Sequence, residues 1–183
     1  METSSYLLLK QYKVVNNAKQ SYWRLPLIKA SATGRAEIVS KLLNNGVNVN
    51  SYNDFGETAL MVASMLGYVK IVSILMEYGA LLNMKSNCGD TALIWASLSG
   101  RTEIVSKLLE NGANIDIKDN NGITALVWAT RHKHFRIMKL IQHEKSKIIQ
   151  DVNLVVNKGM SKNGSPLVLH THRDISSYIA SFL

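Results

Sequence analysis

Cysteine is almost absent from this 183-residue chain, and the one present, Cys88, has no second thiol to pair with. An intramolecular disulfide is excluded, so stability must come from packing, and a reducing, cytoplasmic compartment is expected. Long apolar runs are missing too. None approaches the ~20 residues needed to cross a bilayer, and "METSSYLLLKQYK" lacks the basic start and small-residue cleavage site of a secretory leader. Neither a transmembrane segment nor an export signal is expected. Proline occurs only twice, at Pro26 and Pro166. Acidic residues are scarce in one stretch: between Thr130 and Lys147, Arg131, Lys133, Arg136, Lys139, Lys145 and Lys147 stand against Glu144 alone, within a chain of formal charge +8. Such a run is either a solvated helix face or a surface for an acidic protein, an anionic membrane or nucleic acid. What remains is 46% hydrophobic and 19% charged, the balance of a folded domain and not of a disordered chain.

Signatures of chemistry are also missing. No Gly-rich phosphate loop, nucleophile elbow or isolated carboxylate pair occurs, so no catalytic residue and no cofactor is assigned, and the chain is expected not to be an enzyme. The pairs His132/His134 and His170/His172 are two apart, and on a helix such residues point in different directions. No metal site is expected from them. Cys88 lacks a fixed basic neighbour beyond Lys85, which suits an unreactive thiol.

What the sequence does contain is itself, several times over. Gly56, Gly89 and Gly122 are 33 apart, as are Thr58, Thr91 and Thr124, and Ala63, Ala96 and Ala129. The threonines suit helix N-caps, and Pro26 and Pro166 fall at the next position, where a missing N–H costs least. Ile71, Val72, Leu75 and Met76 recur as Ile104, Val105, Leu108 and Leu109, an amphipathic stripe predicting a second helix, and Gly46, Gly79 and Gly112 stand where it should stop. Between the units, "VNVNSYNDFG" alternates and ends in turn residues, as a short hairpin would.

A 33-residue period with "GETAL", "GDTAL" and "GITAL" openings and an "EIVSKLLENGANIDI" close resembles the ankyrin repeat. The resemblance covers about Trp23 to Gln142. It implies an all-α repeat solenoid, an ankyrin-type stack of helix-turn-helix units with short β-hairpin loops, holding about four repeats and a divergent C-terminal capping unit. The expected divisions are an N-terminal capping helix over 1–20, repeats over 21–52, 53–85, 86–118 and 119–152, and a capping repeat over 153–183. Lys133 and Lys145 replace two glycines in the fourth copy, so its outer helix is expected to run on to about Gln150. Ser165 begins "SPLVLH", a fifth opening displaced by eight residues, with Tyr178, Ile179, Phe182 and Leu183 at the outer-helix offsets.

The resemblance also implies a function: a non-enzymatic protein–protein interaction module, monomeric by itself, that grips a protein partner with its concave groove and hairpin tips. Carried over position by position, the partner-binding residues are Phe55, Val62, Met65, Leu66, Trp95, Leu98, Ser99, Trp128, Arg131 and His132. Trp95 and Trp128 are either neighbouring anchors in that groove or core between the helices. The tips also include Tyr52, Asp54, Glu57, Lys85, Asn87, Cys88, Asp90, Lys118, Asn120, Asn121 and Ile123. The alternative is a binder of nucleic acid or an anionic surface through the basic fourth repeat. Asn50 and Asn83 occupy the position that asparagine hydroxylases modify in ankyrin repeats. The abundance of Asn, Lys and Ile suits an AT-rich genome and a host-directed or scaffolding role.

Overall fold

In the computed structural model the described residues are 26–163, with side chains described as far as Val152. Eight helices occur among them: α1 Pro26–Ala32, α2 Ala36–Asn44, α3 Ala59–Leu66, α4 Val69–Glu77, α5 Ala92–Leu98, α6 Thr102–Glu110, α7 Ala125–Arg131 and α8 Phe135–Asn163. The expected capping helix over 1–20 and the opening at Ser165 lie outside the described residues. The chain divides into two compact units, Met1–Ile141 and Gln142–Leu183.

Each inner helix starts where the sequence places a hydroxyl. Thr58 Oγ1 accepts a bond from the Met61 N–H at 3.3 Å, Thr91 from Ile94 at 3.3 Å and Thr124 from Val127 at 3.5 Å. These bonds satisfy amides that the first turn leaves unpaired. The inner helices α1, α3, α5 and α7 then pack in a row, with α2, α4 and α6 forming a second row. Ala59, Ala63, Ala92, Ala96, Ala125 and Ala129 are all buried, and their small side chains let the inner helices approach closely. Ile71, Val72 and Leu75 on α4 and Ile104, Val105 and Leu108 on α6 close the core from the outer row. Ile137 and Ile141 on α8 are buried at the corresponding register.

Two features depart from the sequence expectation. The hairpins form no strands among the described residues: Tyr52–Thr58 and Lys118–Thr124 are isolated antiparallel bridges. Helix α8 passes Gln150 and continues to Asn163, so the boundary expected between 152 and 153 falls inside a helix. The cause is local. Gly46, Gly79 and Gly112 follow the earlier outer helices with φ of +80°, +78° and +82°, whereas Lys145 holds that place in the fourth copy, and no glycine or proline lies between Phe135 and Lys158. Nothing turns the chain out of the helix there.

Candidate functional site

The three hairpins are folded by three different side chains doing one job. Asn53 Oδ1 accepts from the N–H groups of Phe55 (3.0 Å) and Glu57 (2.9 Å). Ser86 Oγ does so for Cys88 (3.3 Å) and Asp90 (3.1 Å), and Asp119 Oδ1 for Asn121 (2.8 Å) and Ile123 (2.9 Å). Side-chain acceptors of this kind replace the backbone pairing a longer hairpin would have. Sequence reasoning missed these residues. The signal was present, because each is a short side chain with an acceptor oxygen five positions before the capping threonine.

Neighbouring tips are then joined. The Asn87 N–H donates to Phe55 O at 2.9 Å and its Nδ2 to Asp54 O at 3.0 Å; Asn120 repeats both bonds one unit on, to Cys88 O at 3.0 Å and Asn87 O at 2.8 Å. The approach is so close that a Cβ on Gly89 would lie 2.7 Å from Asn120 N, which is why the tip needs glycine. Lys85 Nζ donates to Lys118 O at 2.9 Å. Nearer the outer helices, Asn50 Oδ1 accepts from the Leu81 N–H at 2.8 Å and Asn83 Oδ1 from that of Asn114 at 2.9 Å. The tips therefore form one hydrogen-bonded edge. Tyr52 is 62% exposed on it, and Asp54, Lys85, Lys118 and Asn121 are exposed as well. Glu57, Asp90 and Ile123, expected at the tips, are buried at their bases.

The residues carried over as partner-binding fall into two groups. Val62, Trp95 and Trp128 are 2% exposed and Met65 and Leu98 3%, so these five belong to the core. Of the two readings open to the tryptophans, anchors in the groove or core between the helices, their burial selects the core. Trp128 Nε1 donates to Asp119 Oδ2 at 3.0 Å, a buried bond that ties α7 to the base of its own hairpin. Helical spacing placed both rings at one register, and at that register both are covered. The remaining five are reachable: Phe55, Leu66, Ser99 and His132 are half-buried and Arg131 is exposed.

Arg131, His132 and Trp128 come together at the fourth repeat. The Arg131 guanidinium lies 5.6 Å from the Trp128 ring centroid. His132 is 5.9 Å from that ring and stacks on His134 at 6.0 Å. Burial pushes the His132 pKa down, and the nearby His134 and Arg131 push it the same way. His134 Nε2 sits 3.3 Å from Leu98 O, as Arg101 Nε sits 3.1 Å from Met65 O one unit earlier, each cation-capable side chain at the carbonyl end of the preceding inner helix. Cys88 is half-buried, and its thiol pKa is raised by burial and then by the carboxylates of Asp90, Glu57 and Asp119. Among the described residues no group of three His, Cys, Asp or Glu side chains could hold a metal ion, and no helix is long and apolar enough to cross a membrane.

The family model described as ankyrin repeats (3 copies) matches residues 3–86 and 78–154. The chain belongs to the ankyrin-repeat family, whose members generally mediate protein–protein interaction and are typically not enzymes. No curated protein matches the chain.

Proposed function

We propose that the chain is a protein-binding module that meets its partner along the hairpin edge and at the exposed ends of the inner helices. The observation that carries this reading is the edge itself. Its tips are bonded to one another through backbone and asparagine side chains, yet Tyr52, Asp54, Lys85, Lys118 and Asn121 remain exposed. A surface already ordered before binding loses little conformational entropy when a partner docks, so its contacts count almost in full. Phe55, Leu66, Ser99, Arg131 and His132 remain reachable as half-buried or exposed groups, and the buried Trp128 lies against Arg131 and His132. The single cysteine suits work in a reducing compartment.

The test is affinity capture with the full chain, with a Tyr52→Ser/Lys85→Ser/Lys118→Ser edge variant, and with Lys41→Ser/Lys70→Ser, whose lysines are exposed on α2 and α4. A partner captured by the full chain and by the α2/α4 variant, and lost with the edge variant, supports the reading. A partner indifferent to the edge variant and lost with the α2/α4 one overturns it.

A further inference from the structure

The fourth copy carries a charge at a position of the inner helix where the second and third copies are apolar. Where Arg131 stands, the second and third copies have Met65 and Leu98, both buried and apolar. Packing asks for an apolar side chain there, and the fourth copy instead presents an exposed guanidinium. That guanidinium is held over the face of Trp128, whose ring is fixed by its bond to Asp119 Oδ2, while Asp119 Oδ1 is occupied by the N–H groups of Asn121 and Ile123. The platform under Arg131 is thus buried and tied down at each step. A guanidinium held at the face of a fixed ring has lost part of its rotamer freedom, and its N–H groups suit a bidentate acceptor. Among the described residues Arg131 has no carboxylate partner. From Asn120 to His143 there is no Asp or Glu at all, while Lys133, Arg136 and Lys139 add positive charge.

We propose that Arg131, flanked by His132, is a carboxylate-binding subsite that receives an Asp or Glu side chain of the partner protein. This rests on the protein-binding reading above and adds the partner's chemistry. A bidentate guanidinium–carboxylate pair supplies geometry as well as charge. A polyphosphate strand fits less well, because one guanidinium held at a fixed ring matches a single bidentate acceptor and not a track of evenly spaced phosphates.

The experiment uses the whole 15N-labelled chain and the pentapeptide acetyl-Gly-Glu-Glu-Glu-Gly-amide, followed by NMR at the Arg131 Nε–H and Trp128 Nε1–H resonances. Arg131→Leu installs the side chain that the third copy uses, so Trp128 stays covered, and its unchanged indole resonance reports that the fold is intact. Lys139→Leu removes one equal charge from the same region. The proposal expects saturable shifts at Arg131, affinity about tenfold weaker in Arg131→Leu and changed by only about twofold in Lys139→Leu. Equal losses in the two variants, or no shift at Arg131, overturn the subsite while leaving the hairpin-edge capture to stand or fall by itself. Tighter binding of an oligothymidylate, with affinity falling steeply as salt rises, overturns it in favour of nucleic acid.

Discussion

Trp128 and Asp119 are nine positions apart in sequence and share one buried hydrogen bond, so a change in either is felt by the other. Trp128→Phe keeps an aromatic ring but a smaller one and removes the donor, leaving a buried carboxylate oxygen without its indole partner. We expect a loss of about 1–3 kcal/mol in urea unfolding, with circular dichroism unchanged. Lys133 is the only described non-glycine residue at positive φ (+57°), in the turn where the earlier copies have Gly34, Gly67 and Gly100. A side chain in that conformation costs about 1–2 kcal/mol, and the greater freedom of glycine in the unfolded chain offsets part of this. Lys133→Gly should therefore stabilise the fold by about 0.5–1 kcal/mol, read as a higher urea midpoint at unchanged slope. His132 adds a pH dependence. Its pKa is lowered in the fold, so as pH falls through the unfolded value of about 6.5 the unfolded chain takes up the proton first, and stability declines until the folded pKa is passed. The melting temperature should fall over this window, and by less in His132→Asn. Cys88 has a raised pKa and is half-buried, so it should alkylate slowly at pH 8 in the folded chain and faster in urea.

Among the elements, the inner helices were the most legible and α8 the least. Thr58, Thr91 and Thr124 announce three helix starts, and each makes the expected cap bond. Replacing Thr91 by Ala should cost about 1 kcal/mol, checked by chemical denaturation. The stop signals were legible where glycine supplies them and failed where Lys145 stands in its place. A missing stop says that a helix continues, not where it ends. The hairpins were visible as turns, but their joining was not. The bonds of Asn87 and Asn120 to the preceding tips depend on how closely two units approach, and that distance is set by the buried alanines of the inner helices. The burial of Trp95 and Trp128 was equally hidden. Periodicity assigns a side of the helix, and only the packing of neighbouring elements decides whether that side meets solvent.

At the scale of the molecule, the 33-residue register accounts for the stack, and the departures from it fall where packing does not hold the copies alike. Interior positions repeat because every unit packs on its neighbours in the same way. Exposed positions have no such constraint: Tyr52 stands at the register where Lys85 and Lys118 recur, and Leu66, Ser99 and His132 all differ at another. The proposed reading therefore separates two sets of residues: buried tryptophans that hold the stack, and an exposed edge offered to a partner. Measuring melting temperature and affinity for a captured partner side by side in Trp95→Phe and in the Tyr52→Ser/Lys85→Ser/Lys118→Ser variant tests this separation directly. The account predicts a lowered melting temperature with retained affinity for the first, and an unchanged melting temperature with lost binding for the second. Lost affinity in a fully stable Trp95→Phe, with binding intact in the edge variant, would contradict it.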